Sequence, residues 1–149
     1  HEIRRLIADV IPATLEHVGR GLIFCGARLM WCYPEPTAVG GVFVPSGTGN
    51  SSWGFQCFHP ILYYGKDPFL ADGRGGRPNS FYDLRAGQES YDHPCPKPLP
   101  WLNWAVERAS RPGELILDMF AGTGTTLRAA KDHGRQAIGI EIEERYCEI

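Results

Sequence analysis

An α/β domain built around a parallel βαβ unit is what the sequence predicts, on three observations. An amphipathic stretch at the amino terminus runs into a short apolar run bounded by glycines. Two further apolar runs flank a polar loop, and Glu114 to Glu141 reads as strand, glycine turn, helix and strand. Helices alternating with apolar strands pack as layers around one core.

From Glu2 to His17 the apolar residues Ile3, Leu6, Ile7, Val10, Ile11 and Leu15 fall at helical spacing, and Val18-Gly19-Arg20-Gly21 ends the helix. Gly21 to Gly26 is a nearly continuous apolar run that suits a strand covered on both faces. Gly41–Val44 and Phe58–Tyr64 are the next strands, and the polar loop Ser46–Ser52 between them lets them pair as a hairpin. Residues 65–92 hold glycines and prolines without a period and read as a long irregular excursion, a kind of loop that is usually functional. After His93-Pro94-Cys95-Pro96-Lys97-Pro98-Leu99-Pro100 a helix runs from Trp101 to Ala109, with Pro100 in its first turn, where a missing N–H costs nothing. Glu114–Asp118 is a strand, Met119–Thr126 a turn, Leu127–His133 a helix and Gln136–Glu141 a second strand, parallel to the first and reached by a right-handed crossover.

The 149 residues, 43% apolar and 21% charged with a net charge of -2, have the composition of one water-soluble globular domain. Disorder is excluded by the apolar share, and no stretch nears the roughly 18 consecutive apolar residues of a membrane helix. A pI near 6.2 gives no global attraction to nucleic acid. Five cysteines, an odd number without a C-x-x-C pair, argue against a disulfide framework and a zinc ribbon, and a reducing cytoplasm fits them best. No metal site is expected. The chain opens at His1 without a methionine or a signal segment, and Glu143–Ile149 reads as a helix without a stop signal, so both ends read as cut.

The chemistry concentrates in the βαβ stretch. Asp118 at one strand tip, Gly122 and Gly124 in the turn, and Glu141 at the next strand tip form a nucleoside-binding pattern. Glycines allow close approach of backbone to ligand, and the second acid accepts ribose hydroxyls. A carboxylate at Asp118 repels a pyrophosphate and attracts a cation, and Leu127 stands where a dinucleotide site keeps its third glycine. S-adenosylmethionine, which carries an ammonium and a sulfonium, is favoured over NAD.

The run Asp118-Met119-Phe120-Ala121-Gly122-Thr123-Gly124-Thr125-Thr126, followed by Gly139-Ile140-Glu141-Ile142, closely resembles the cofactor motifs of the DNA amino-methyltransferases that modify adenine N6 or cytosine N4. His93-Pro94-Cys95-Pro96-Lys97-Pro98 resembles the element with which that family holds the methionine end of the cofactor, and Gly21–Gly26 and Phe58–Lys66 resemble strands of its catalytic half. The resemblance implies a circularly permuted, Rossmann-like S-adenosylmethionine-dependent methyltransferase fold of the β group, with a mostly parallel sheet and an antiparallel hairpin. It also implies that Asp118 and the Gly122 and Gly124 backbone hold the amino-acid end and position the cofactor, with Phe120 packing beside it and Ala121, Thr123, Thr125 and Thr126 also binding it, that Glu141 takes the ribose and Ile142 lines the adenine, and that His93, Lys97 and Pro98 shape the methionine pocket. The implied partner is double-stranded DNA with its target base flipped out; a second copy of the chain is an open alternative.

One departure bears on activity. Members carry Asp, Asn or Ser followed by Pro-Pro and an aromatic residue, which hold the target amine and stack on the base, and no Pro-Pro occurs here. No catalytic residue is therefore assigned. A catalytically inactive relative that binds cofactor or DNA, and a methyltransferase acting on RNA or a small molecule, stay open beside the DNA enzyme.

Plainer roles compete at each position. Asp118 can cap a helix, Glu141 can be a solvated strand end, and Thr125 and Thr126 can satisfy helix amides. Trp31, Trp101 and Trp104 fit core or interface better than base stacking, and His59 and His133 fit structural or exposed positions. Arg74, Arg77 and Arg85 in the excursion, where the family places target recognition, are candidates for phosphate contact. Asp67, Asp72, Asp83 and Glu89 offset their charge and that of Lys66.

Overall fold

The computed structural model describes residues 2–84 and 97–147, which fall into two compact units, His1–Gln88 and Glu89–Ile149. His93 and Arg85, singled out above, lie outside the described residues.

The first unit opens with helix α1 (Glu2–Leu15), whose Ile7 and Ile11, one turn apart, are buried. Strand β1 (Arg20–Phe24) follows, then a 3₁₀ turn at Met30–Cys32 and β2 (Ala38–Phe43). Next come the short strands β3 (Gly49–Ser51) and β4 (Gly54–Gln56), then β5 (Phe58–Gly65), α2 (Pro68–Ala71) and β6 (Ser80–Tyr82). Four strands form one sheet in the order β1-β5-β2-β6. As expected, β2 and β5 pair antiparallel, from Ala38 opposite Tyr63 to Phe43 opposite Phe58. Val42, Val44, Pro60, Ile61 and Leu62 are fully buried there.

Two features depart from the pattern read in the sequence. The polar loop between the paired strands carries its own hairpin, with Asn50 of β3 opposite Phe55 of β4. The excursion is not wholly irregular. Asp67 caps α2 by accepting the N–H of Phe69 at 2.7 Å, and β6 adds to β2 in parallel. Elements of three or four residues are too short to show a period, so only tertiary pairing reveals them. The sheet is accordingly mixed: β1–β5 and β2–β5 run antiparallel, whereas β2–β6 is parallel.

The second unit contains α3 (Leu99–Ala109), β7 (Leu115–Asp118), α4 (Thr125–Asp132), β8 (Gln136–Gly139) and α5 (Glu144–Cys147). Trp101, Leu102, Ala105 and Val106 form the buried stripe of α3, so Trp101 is a core residue. Strands β7 and β8 are parallel, in register from Leu115 opposite Gln136 to Asp118 opposite Gly139. Helix α4 packs against α3 and both strands. Ala129 and Ala130 supply its buried face. Arg135 fastens the junction by donating to Ser110 Oγ at 3.0 Å and Ser110 O at 2.8 Å. Among the described residues no helix is long and apolar enough to cross a membrane.

Candidate functional site

The site is built where β7 gives way to α4. Hydrogen bonding between the strands continues past their formal ends: Ile140 N–H donates to Asp118 O at 2.8 Å, and Ala121 N–H donates to Ile140 O at 3.0 Å. The turn is thereby held against the chain leaving β8. Gly122 at φ +52° and Gly124 at φ +75° take left-handed backbone that costs other residues roughly 1–2 kcal/mol. The chain can then reverse within a few residues, with Gly124 N–H donating to Ala121 O at 2.8 Å.

Both acids aim at this turn. Asp118 Oδ1 accepts the N–H of Phe120 at 3.0 Å. Glu141 Oε2 accepts the N–H of Gly122 at 2.8 Å, and its Oε1 accepts the N–H of Glu143 at 2.8 Å. Neither plain alternative therefore describes them: Asp118 does not cap α4, whose N-cap is Gly124, and Glu141 is half-buried rather than a solvated strand end. The first turn of α4 has no side-chain cap. Thr123 and Thr125 instead pair their hydroxyls at 3.4 Å. An uncapped helix start leaves backbone donors and the positive end of the dipole for an anion.

Leu127 acquires a definite role. A Cβ at Gly139 would lie 2.8 Å from Leu127 Cδ1 and 3.0 Å from the Ala121 Cβ. Close helix–strand packing is thus present, with its glycine on the strand rather than on the helix. Sequence reading noted the missing helix glycine but had no signal for this pairing, which joins residues of separate elements.

The other expected residues are placed as follows. Ala121, Thr123, Thr125 and Thr126 are half-buried along the turn and the start of α4. Phe120 is 52% exposed and Ile142 95% exposed. Lys97 and Pro98 lead into α3, where Pro98 O accepts the N–H of Trp101 at 2.9 Å. The structural members that sequence reasoning missed are Ile140 and Glu143, which act through their backbone, and the Arg135–Ser110 link, whose partners stand 25 residues apart. Among the described residues no group of three or more His, Cys, Asp or Glu side chains is placed to hold a metal.

This geometry lies within the stretch that matches a known family. Residues 50–149 match the family described as DNA methylase. The chain is 33% identical over 93 residues to the DNA adenine methyltransferase YhdJ of Escherichia coli (strain K12), a match covering 60% of the chain and 32% of that protein. It is 42% identical over 57 residues to the type II methyltransferase M.HinfI of Haemophilus influenzae, covering 38% of the chain and 16% of that protein. The chain thus spans less than a third of either relative. Among solved structures it resembles the M1.HpyAVI–SAM complex, with a TM-score of 0.66 at 21% identity over 86% of this chain and 70% of the other. That likeness establishes the α/β Rossmann-like fold. With the match covering 50–149, which includes the whole Asp118–Glu141 turn, the chain belongs to the DNA methylase family.

Proposed function

We propose that this chain forms the S-adenosylmethionine-binding part of an enzyme that methylates the exocyclic amine of adenine (N6) or cytosine (N4) in DNA. The observation that carries the reading is the convergence of Asp118 and Glu141 on one glycine turn.

The donor set suits the cofactor. Asp118 engages only one carboxylate oxygen among the described residues, which leaves the other for an ammonium group. The uncapped start of α4 suits the neighbouring carboxylate of the same amino-acid end. Glu141 accepts Gly122 N–H on Oε2 and Glu143 N–H on Oε1, and a carboxylate oxygen can accept more than one hydrogen bond, which suits it to ribose hydroxyls. Nothing lies within 4 Å of a Cβ position at Gly124, so the floor of the turn is open. Phe120 and Ile142 would flank the adenosyl group, with His93, Lys97 and Pro98 at the methionine end. Ala121, Thr123, Thr125 and Thr126 complete the lining.

The bound cofactor supplies an electrophilic methyl group on its sulfonium. What the chain's own residues do is position: Asp118 and Glu141 anchor the two ends of the cofactor, fixing the line along which the amine must approach. Because that amine is paired inside a duplex, the reaction requires the target base to be extruded. Among the described residues Cys25, Cys32, Cys57 and Cys147 are unpaired in disulfides, and the setting proposed for them is the reducing cytoplasm. The alternative reading is a module that binds cofactor without transferring the methyl group.

Calorimetric titration with S-adenosylmethionine and S-adenosylhomocysteine tests the first claim: both bind the unmutated chain, and Asp118→Ala and Glu141→Ala weaken both. No binding of either compound would overturn it. Transfer of labelled methyl to duplex DNA, against none with cofactor binding intact, separates the enzyme from the inactive module.

A further inference from the structure

The segment between β5 and β6 contains a cation arrangement that its sequence conceals. Two guanidinium groups share the Phe69 ring: Arg74 lies 3.7 Å from its centroid and Arg77 lies 3.9 Å from it. The two arginines are otherwise unlike. Arg77 Nη2 donates to Asp67 Oδ1 at 2.9 Å, with both side chains largely buried. The same oxygen of Asp67 caps α2 through Phe69 N–H, so Arg77 is committed to holding the loop. Arg74 is exposed and pairs with no carboxylate among the described residues. Lys66, exposed at the other end of α2, has no carboxylate partner among them either.

The counting of charges that made this segment look neutral therefore misleads. Residues 66–77 hold three cations, Lys66, Arg74 and Arg77, and two carboxylates, Asp67 and Asp72; with Asp67 engaged by Arg77, Arg74 and Lys66 outnumber Asp72 and the segment keeps a net positive charge. An arginine stacked through its π face keeps its in-plane N–H groups directed outward, in the fork that matches a phosphate. Stacking also restrains the side chain in advance, so less entropy is lost on pairing. Around it, Gly73, at φ +71°, and Gly75, at φ +88°, adopt backbone that favours glycine. Cβ positions at Gly73, Gly75 and Gly76 would meet nothing within 4 Å. The three glycines therefore add no side chain of their own beside Arg74.

We propose that Arg74, laid on Phe69, contacts a phosphodiester of the DNA backbone, with Lys66 as a second cation and Arg77 as the residue that positions Phe69. The proposal rests on the reading of DNA as the substrate. Such a contact orients the duplex and carries no base preference.

The experiment measures binding of the full chain to fluorescent DNA duplexes of several sequences across a potassium chloride series, with S-adenosylhomocysteine affinity determined in parallel. Arg74→Ala is expected to weaken every duplex by the same factor and to make the log–log salt slope shallower by about one. Arg74→Lys is expected to restore the slope, because it restores the charge. Phe69→Leu is expected to weaken binding without changing the slope. S-adenosylhomocysteine affinity is expected to stay constant throughout. If the unmutated chain binds DNA and Arg74→Ala shares its slope and affinity, the proposal falls alone. If the unmutated chain binds S-adenosylhomocysteine but no DNA at any salt concentration, the DNA reading falls and takes the proposal with it. Stronger competition by duplex RNA than by duplex DNA overturns the choice of ligand.

Discussion

Gly122 and Glu141, 19 residues apart, are joined by a hydrogen bond of 2.8 Å from the glycine N–H to the carboxylate Oε2. Because Oε1 of the same carboxylate takes the N–H of Glu143, one side chain ties the glycine turn after β7 to the chain leaving β8. Glu141→Ala removes both acceptors, and we expect it to destabilise the chain by about 1–3 kcal/mol. Glu141→Gln keeps one acceptor oxygen and sets an NH₂ group against the other donor, so its loss should fall between the two. Urea unfolding of the three proteins without ligand checks the order.

Gly139 lies under Leu127, and Gly139→Ala would place a methyl group 2.8 Å from Leu127 Cδ1. A clash with a packed side chain and with Ala121 should cost about 1–3 kcal/mol. Trimming the obstacle should relieve it: in the Gly139→Ala, Leu127→Ala pair, the combined loss should be smaller than the two single losses together. Unfolding midpoints of the four proteins give the coupling, and strict additivity would show that the two side chains do not meet.

At Gly124 the penalty has a different origin. Its Cβ position is unobstructed, but φ is +75°, so Gly124→Ala should cost about 1–2 kcal/mol from backbone strain alone. Gly124→Asn should cost less, since asparagine tolerates left-handed backbone. An equal loss for the two variants in thermal unfolding would contradict the assignment.

Arg135 should not tolerate replacement by lysine. Its guanidinium reaches Ser110 Oγ, Ser110 O and His133 O together, and a lysine ammonium lacks that planar fork. Arg135→Lys is expected to lower stability by about 1–2 kcal/mol. Hydrogen exchange should show the loss first at the carboxyl ends of α3 and α4.

Alkaline pH should weaken the first unit. Burial pushes the Cys25 thiol from 9.0 up to about 11 and the Tyr64 hydroxyl from 10.0 up to about 12. Both folded values are raised, so the neutral forms favour the fold. That contribution is complete below pH 9 for Cys25 and is lost as pH rises through about 11. Between these values stability should fall by up to about 1.4 kcal/mol per pH unit for this group. Urea midpoints from pH 8 upward check the slope, and Cys25→Ala should remove the cysteine part. Alkylation near pH 8 should reach the exposed Cys147 well before Cys25.

Local sequence was enough to read helix α1, although of its six apolar residues only Ile7 and Ile11 are buried while Ile3 and Leu6 are exposed, and enough to read the pairing of the strands around Val42 and Ile61, the buried Trp101 and the βαβ unit with Asp118, Gly122, Gly124 and Glu141. In each case the information is local: a period, a glycine between apolar runs, or an acid at a strand tip, all within one or two elements. Tertiary structure alone decided that β6 joins the sheet, that Glu141 grips Gly122, that Gly139 makes room for Leu127, and that Arg77 rather than Arg74 takes Asp67. These are contacts between residues far apart in the chain or in elements too short to carry a period. Their geometry exists only once hydrogen bonding and close packing have brought the partners together.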